Sequence, residues 1–204
     1  MTFPKNIAIV ILAAGASSRM GKAKQLLSWK DTTLLGHAIR CAKSSQPASV
    51  VVVLGANAAP IRKEIAEEDV EILENPNWES GLGSSIAYGV NFLTQTEKIP
   101  AGILVMLADQ PLIDAAYLKT MITGFGANSD IVATDYGNRA GVPALFGASY
   151  YAKLMRLDDD YGARLILDGH EKNVIILNPE SKTVDIDTKS DYDQLLKNLD
   201  SPDT

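Results

Sequence analysis

The sequence is poor in several residue types, and each shortage excludes a class of protein. A single cysteine, Cys41, excludes disulfides within the chain and a cysteine zinc framework. The two histidines, His37 and His170, stand in no cluster that suggests zinc. The apolar run near the N-terminus is too short to span a membrane and lacks the charge order of a signal peptide. We therefore expect a cytoplasmic protein without a membrane partner.

Positive charge is also scarce. The 204 residues include 19 Lys and Arg against 25 Asp and Glu, which gives a formal net charge of −6. This charge repels a phosphate backbone and argues against a nucleic-acid partner. A site that binds a phosphorylated small molecule must then supply its own positive charge, from placed Lys and Arg side chains or from a divalent metal.

Hydrophobic residues make up 46% of the chain, which is enough for one α/β domain over residues 1–204. Apolar runs rich in Val and Ile predict buried strands at 6–13, 49–54, 70–73, 102–107 and 130–134. Segments of helical period alternate with these runs, at 33–43, 60–67, 84–93 and 115–125. The alternation predicts a three-layer, doubly wound, mostly parallel sheet that binds ligands at the carboxyl ends of its strands.

The pattern is less regular from residue 137 onward. The patterns at 144–146, 174–177 and 183–186 favour short strands, and those at 150–157 and 190–199 favour helices. No linker, repeat or low-complexity stretch interrupts the chain.

The most informative segment is ILAAGASSRMGKAKQLL, residues 11–27, directly after the first predicted strand. Gly15 and Gly21 permit a loop whose N–H groups surround an anionic triphosphate, and Arg19 and Lys24 add positive charge. The alternative is an ordinary strand-to-helix turn with solvated basic residues. The segment has neither the P-loop spacing GxxxxGK[ST] nor the dinucleotide fingerprint GxGxxG.

LAAGASSRMGKAKQLL resembles the LAAGxSxRMGxxKxLL signature of the nucleotidyltransferase family that includes molybdenum cofactor cytidylyltransferase and its guanylyltransferase relative. The resemblance implies a Rossmann-like nucleotidyltransferase fold whose first loop wraps an NTP. It implies phosphate-binding and catalytic roles for Arg19 and Lys24. It also implies that four neighbouring residues contact the base and ribose: Leu12, Ala13, Ala14 and Gly15.

The residue at position 14 bears on the choice of base. The guanylyltransferase branch typically has LAGG where this chain has LAAG, the form of the cytidylyltransferase branch. The methyl group of Ala14 narrows the base pocket and favours the smaller pyrimidine, although a difference of this size is worth only about 1–3 kcal/mol. We therefore expect CTP rather than GTP.

Two aspartates are candidate magnesium ligands. Asp109 follows a buried strand in ILVMLADQPLID and matches the metal-binding position of the family's DQP motif; capping the next turn is its alternative role. VDIDTKSDY resembles the family's DIDTPED element, which implies that Asp187 also binds the metal, although Lys189 replaces the usual proline. Asp185 and Asp191 are expected to be solvated or to cap a helix.

Two further segments carry candidate binding residues. NPNWESGLGSS resembles the family's GLGxS loop beside the nucleotide, which implies contacts from Gly83, Ser84 and Ser85, with a simple serine helix cap as the alternative. Trp78 is expected to be a packing residue. The acceptor side of the family resembles two later segments, RAGVPALF and DYGARLIL, in which Arg164 would clamp an acceptor phosphate or pyranopterin.

The acceptor motif departs from a common GHP version, because Val142 stands where histidine often occurs, so the acceptor stays open. We predict a Mg²⁺-dependent transfer of CMP from CTP to a phosphorylated acceptor such as molybdopterin, with pyrophosphate as product. The alternatives are a GTP-using guanylyltransferase and a sugar-phosphate nucleotidyltransferase. In a different class, an inactive nucleotide-binding factor would help a partner molybdoenzyme to mature.

Overall fold

Seven of nine strands form one sheet in the computed structural model, which describes residues 6–126, 129–169, 174–180 and 182–200. His170 lies outside these residues. In chain order the strands are β1 (Ile7–Ala13), β2 (Ser28–Trp29), β3 (Thr32–Thr33), β4 (Ser49–Leu54), β5 (Glu71–Glu74), β6 (Gly102–Leu107), β7 (Ile131–Asp135), β8 (Ala140–Gly147) and β9 (Val174–Leu177). Strands β2 and β3 pair separately as an antiparallel hairpin.

The seven strands lie in the order β5, β4, β1, β6, β8, β7, β9. The pairs β4–β5, β1–β4, β1–β6 and β7–β9 are parallel, whereas β8 is antiparallel to both of its neighbours. The carboxyl ends of β1 and β6 therefore lie side by side at one edge of the sheet, where the loops after Ala13 and Leu107 meet. This is the edge at which an open α/β sheet binds ligands.

Helices cover both faces of the sheet. They are α1 (Leu34–Ser44), α2 (Ala58–Glu64), α3 (Leu82–Thr94), α4 (Ala115–Gly124), α5 (Tyr151–Leu154), α6 (Arg164–Asp168) and α7 (Lys189–Asp200). Buried side chains of α1, α2 and α4 pack on one face, and those of α3, α5 and α6 pack on the other. Along β1, Ile9 and Ile11 join the first cluster and Val10 and Leu12 join the second, because successive residues of a strand point to opposite faces. The predicted three-layer, mostly parallel fold is confirmed.

The structure differs from the sequence-based elements in five places. The run 183–186 is not a strand. The backbone N–H of the buried Ile186 donates to the carbonyl of Asp109 at 3.0 Å, beyond the end of β6, and the segment does not pair with the sheet. Helix α2 begins at Ala58, so Pro60 is its third residue rather than its first. The helix expected over 150–157 is limited to α5, and the sequence reasoning missed helix α6 and the β2–β3 hairpin.

None of the helices within the described ranges is long and apolar enough to cross a membrane.

Candidate active site

The loop after β1 is folded around a buried glutamine. Gln25 is 2% exposed, and its side-chain amide donates to the carbonyl oxygens of Ala13 at 2.8 Å and Gly15 at 3.0 Å. The Ser17 hydroxyl accepts a hydrogen bond from the backbone N–H of Lys24 at 3.1 Å. These contacts turn the chain back, so that Lys24 returns to the carboxyl end of β1. Sequence reasoning assigned no role to Gln25, and its only signal was its position inside the signature.

Lys24 joins two acids from distant parts of the chain. Its ammonium donates to the carboxylate of Asp109, to Asp187 Oδ1 at 3.2 Å and to the carbonyl of Ile186 at 3.1 Å. Burial by itself would lower the pKa of Lys24, but the carboxylates of Asp109 and Asp187 outweigh it and raise that pKa. Lys24 is therefore held in its charged form at the carboxyl edge of the sheet.

Asp109 follows the end of β6 and is held beside the first loop. The N–H of the preceding Ala108 donates to the carbonyl of Leu12 at 3.1 Å. Lys24 contacts Oδ2 of Asp109, whereas Oδ1 is buried and has no hydrogen-bond partner within the described residues. Buried polar atoms are nearly always hydrogen-bonded, so an oxygen without a donor suggests a missing ligand. A cation satisfies such an oxygen.

Asp187 is positioned by the start of α7. Asp191 accepts the backbone N–H groups of Asp187 at 3.1 Å and Thr188 at 2.7 Å, and its own N–H donates to the Thr188 hydroxyl at 3.2 Å. This reciprocal cap fixes the backbone before the helix, and the fully buried Ile186 anchors it from the other side. The predicted capping role of Asp191 is confirmed.

Arg19 adds a second positive charge at the outer side of the acids. Its guanidinium lies 3.4 Å from Asp187 Oδ2, and its side chain is 68% exposed. Arg19 is therefore near Asp187 but open to solvent, where its side chain can change partners at little cost.

A cavity of about 350 Å³ opens beside Lys24 and Asp109. The residues that line it come from the end of β1 and the loop after it, the start of α3 and the segment before it, the end of β6 and the loop before α6: Leu12, Ala13, Ala14, Gly15, Lys24, Gln25, Trp78, Glu79, Gly81, Leu82, Ser85, Leu107, Ala108, Asp109 and Asp160. Four of the candidate base and ribose contacts thus share one wall with two of the candidate catalytic residues. Pockets of this volume suit a small-molecule ligand.

The three residues expected from the GLGSS loop separate in the structure. Ser85 lines the cavity, whereas the N–H of Gly83 donates to the carbonyl of Asp159 at 2.7 Å. The hydroxyl of Ser84 donates to backbone carbonyls of Asn77 and Gly81, both at 2.9 Å. Gly83 and Ser84 therefore hold neighbouring loops together and are not among the residues that line the cavity.

Two cavity residues were not expected there. Trp78 packs against Gly55, as its predicted packing role requires, but it also lines the cavity. Asp160, the first residue of the DYGARLIL segment that resembles the family's acceptor side, lines this cavity and a neighbouring one. The sequence could not place either side chain, since both lie on loops whose paths depend on packing against other elements.

The neighbouring cavity, of about 240 Å³, lies toward β8 and α6. It shares Leu82, Leu107 and Asp160 with the first cavity. Arg164 lines it, with its guanidinium 3.4 Å from Asp168 and its side chain about half exposed. The structure thus places Arg164 at a second cavity that shares lining residues with the first, rather than beside the first loop.

A hydrogen-bonded network forms the wall between the acids and this second cavity. The buried Gln110 donates to the Tyr136 hydroxyl at 2.7 Å and to Asp185 Oδ1 at 2.8 Å, and Tyr136 donates to the carbonyl of Val142 at 2.5 Å. Burial raises the pKa of Tyr136 to about 12. Loss of solvent also raises the pKa of Asp185, and the charges of Asp109 and Asp187 add to the increase. Asp185 is therefore bonded within the site, not merely solvated.

The Asp109–Asp187 pair fits a magnesium ion. No group of three or more His, Cys, Asp and Glu residues in the described part of the chain could hold a metal. Magnesium at nucleotide sites needs less, because it usually takes one or two carboxylates together with phosphate oxygens and water. The unpartnered Oδ1 of Asp109 and the nearby carboxylate of Asp187 provide that donor set.

Solved structures share this fold. Rv0371c from Mycobacterium tuberculosis H37Rv superposes with a TM-score of 0.83 at 29% identity, over 96% of this chain and 100% of that chain. A complex of Rv0371C with manganese gives a TM-score of 0.75 at 28% identity, over 95% and 99% of the two chains. A nucleotidyl transferase from Methanothermobacter thermautotroptrophicus has a TM-score of 0.81 at 21% identity, over 95% and 97% of the chains, which shows the fold alone.

Relatives by sequence carry different names. Nicotine blue oxidoreductase from Paenarthrobacter nicotinovorans is 31% identical over 199 residues, which cover 92% of this chain and 95% of that protein. Bifunctional protein GlmU from Stutzerimonas stutzeri is 32% identical over 120 residues, which cover 58% of this chain but only 25% of GlmU. The family model described as the MobA-like NTP transferase domain matches residues 9–174. The chain therefore belongs to the MobA-like NTP transferase family.

Proposed function

We propose that this protein is a Mg²⁺-dependent cytidylyltransferase that transfers CMP from CTP to a phosphorylated acceptor of the molybdenum cofactor type and releases pyrophosphate. The observation that carries the proposal is the meeting of Lys24, Asp109 and Asp187 beside the cavity of the first loop. A net-acidic protein has here gathered both the positive charge and the carboxylates that a metal-bound triphosphate requires.

The first cavity is the proposed CTP site. Leu12, Ala13, Ala14 and Gly15 would contact the base and ribose, and the backbone that Gln25 fixes would place their N–H groups around the nucleotide. Ser85, which lines the same cavity, is the residue of the GLGSS loop that would contact the nucleotide. Gly83 and Ser84 would act indirectly, by holding the loop before α3 in place.

The second cavity is the proposed acceptor site. It shares the lining residues Leu82, Leu107 and Asp160 with the first cavity, so an acceptor in one would lie next to a nucleotide in the other. Arg164 would pair with an anionic group of the acceptor through its guanidinium fork. These shared lining residues support the proposal that the two substrates bind next to each other.

The reaction would be a single displacement. A terminal phosphate oxygen of the acceptor attacks the α-phosphorus of CTP, a new P–O bond forms, and the bond to the β-phosphate oxygen breaks, so that pyrophosphate leaves with the electron pair. The attacking oxygen is already anionic at neutral pH, so no strong general base is required. Lys24 and Arg19 would offset the repulsion between the two phosphate groups, and the fixed loop would supply orientation.

Asp109 and Asp187 would hold the Mg²⁺ ion. When bound, the ion would neutralise charge on the triphosphate and on the departing pyrophosphate. The manganese complex of Rv0371C shows a divalent ion with a protein of the same fold, which supports the proposal for this chain.

Pyrophosphate release with CTP, GTP and candidate phosphorylated acceptors tests the proposal. We expect release that needs Mg²⁺, a larger kcat/KM for CTP than for GTP, and a radiolabelled CMP adduct of the acceptor. A preference for GTP, or for a sugar phosphate as acceptor, would move the chain to one of the related transferase activities. Absence of pyrophosphate release with every acceptor would favour the nucleotide-binding maturation factor instead.

A further inference from the structure

Lys24 lies where a metal ion is expected. Its ammonium contacts Asp109 Oδ2 and lies 3.2 Å from Asp187 Oδ1, so one organic cation bridges the two carboxylates that the proposed function assigns to Mg²⁺. The carbonyl of Ile186 accepts the remaining hydrogen bond at 3.1 Å. An ammonium has three N–H donors, and all three are used here.

The same contacts close Asp109 to ions from solvent. Oδ2 is covered by Lys24, and Oδ1 is buried without access to water. The side chains of Lys24 and Asp109 are only 17% and 16% exposed. A divalent ion can reach both oxygens of this carboxylate only after the lysine side chain has moved.

Lys24 can move without unfolding its loop. Its backbone N–H is held by the Ser17 hydroxyl at 3.1 Å, and its carbonyl accepts from the N–H of Leu27 at 3.0 Å. The ammonium sits on a flexible four-carbon stem, unlike the planar fork of an arginine. The main chain is therefore fixed while the charged end has freedom to change partners, and the adjoining cavity, which Lys24 also lines, offers the space.

We propose that Lys24 is an internal counter-ion that keeps free divalent metal out of the Asp109–Asp187 pair and gives up this place only when a triphosphate offers its ammonium new anionic partners. The inference rests on the proposed function, because it assigns the regulation of the same metal site. A metal that arrives alone must displace Lys24 and then tolerate its charge nearby. A metal that arrives with a triphosphate also brings the anion that accepts the lysine.

The positive charge of Lys24 favours this order of events. Asp109, Asp185 and Asp187 supply three carboxylates to the cluster, against the two cationic side chains of Lys24 and Arg19. A divalent ion that arrives alone must lie next to the Lys24 ammonium, whereas a metal–triphosphate complex brings phosphate oxygens that accept this ammonium. The site would thus select the metal complex of the nucleotide over the free ion.

A titration of the nucleotide-free protein with Mn²⁺ tests the inference. The loss of the electron paramagnetic resonance signal of free Mn²⁺ measures binding. We expect Lys24→Met to bind Mn²⁺ at least about tenfold more tightly than the wild type, because a positive charge next to the ion has been removed. The matched control is Lys22→Met, which makes the same chemical change at an exposed residue of the same loop and should leave Mn²⁺ affinity within about twofold. Equal or weaker Mn²⁺ binding by Lys24→Met would overturn the inference.

A replacement variant and a second binding measurement separate the counter-ion role of Lys24 from misfolding and from the metal site itself. If circular dichroism shows that Lys24→Met is unfolded, Lys24→Gln replaces it, with the same expected tightening and the same refuting result. Mn²⁺ binding with a CTP analogue that has a methylene group between its α- and β-phosphorus tests the metal site itself. Loss of that binding in Asp109→Asn, without tightening in the Lys24 variants, would refute the counter-ion role alone. Unchanged binding in Asp109→Asn would refute the proposed metal site.

Discussion

Replacing Asp109 with asparagine removes a charge from the site while keeping the size of the side chain. The carbonyl oxygen of the new amide can still accept a hydrogen bond from Lys24, and Lys24 keeps its contacts with Asp187 and the carbonyl of Ile186. The substitution therefore removes only the contribution that the negative charge makes to the hydrogen bond between Lys24 and residue 109. We expect the free energy of unfolding to fall by about 1–2 kcal/mol, and the Tm by about 2–8 °C.

The effect on turnover should be much larger than the effect on stability. A carboxylate that holds the metal contributes to several kcal/mol of charge stabilisation in the transition state. A loss of about 3 kcal/mol slows the chemical step by about 100-fold. Asp109→Asn should therefore remain folded and lose at least about 99% of its kcat for Mg²⁺-dependent pyrophosphate release from CTP.

Asp69→Asn is the matched control for Asp109→Asn. Asp69 is exposed and lies just before β5, at the opposite edge of the sheet from the site, so this variant should keep wild-type turnover. Thermal unfolding shows whether both variants are folded, and a metal titration shows whether excess Mg²⁺ restores activity. An Asp109→Asn protein with kcat within about threefold of wild type at saturating Mg²⁺ would refute the assignment of Asp109 to the metal.

Three further changes test other parts of the structure. Ala14→Gly removes a methyl group from the cavity wall and should lower the ratio of kcat/KM for CTP to that for GTP by about tenfold; an unchanged ratio would show that this methyl does not select the base. Gly81→Ala forces a side chain at φ 102, with its Cβ 2.3 Å from Asp160 Oδ1, and should cost about 1–3 kcal/mol of unfolding free energy in chemical denaturation, whereas Gly124→Ala meets no described heavy atom within 4 Å and should not destabilise. Asp114→Ala removes the cap of α4 and should cost about 1 kcal/mol at pH 7. Partial burial would raise the pKa of Asp114, but hydrogen bonds from the Tyr117 N–H and Lys182 lower it below the ordinary 3.8, so the stability difference between Asp114→Ala and wild type should be full above pH 3.8 and vanish as the pH falls through the lowered value.

The central strands could be predicted from the sequence because each is a continuous apolar run. Strands β4 and β6 begin and end at the predicted residues, since side chains on both faces are buried and no polar alternation blurs the limits. The run 183–186 alternates polar and apolar residues, which is also typical of a strand, but it joins no sheet, and the N–H of Ile186 donates to the carbonyl of Asp109 beyond the end of β6. Local composition could not distinguish these cases, because the path of this segment is set by burial of Ile186 with Trp29 and Leu27.

The candidate site could be predicted only as a set of residues. The signature indicated Arg19 and Lys24, and the two aspartate motifs indicated Asp109 and Asp187, but the direct contact of Lys24 with both acids depends on three separate loops. The buried role of Gln25 was equally hidden, because a glutamine in a loop is usually solvated. What a motif cannot state is which of its side chains will bond to each other before any ligand binds.

A crystal structure of the protein with Mg²⁺ and the methylene analogue of CTP would test the arrangement of the whole site. We expect the triphosphate along the first loop, the cytosine beside Ala14, the metal about 2.0–2.1 Å from carboxylate oxygens of both Asp109 and Asp187, and Lys24 bonded to phosphate oxygens. A nucleotide bound outside the cavity of the first loop, or a metal bound without either aspartate, would contradict the proposed activity.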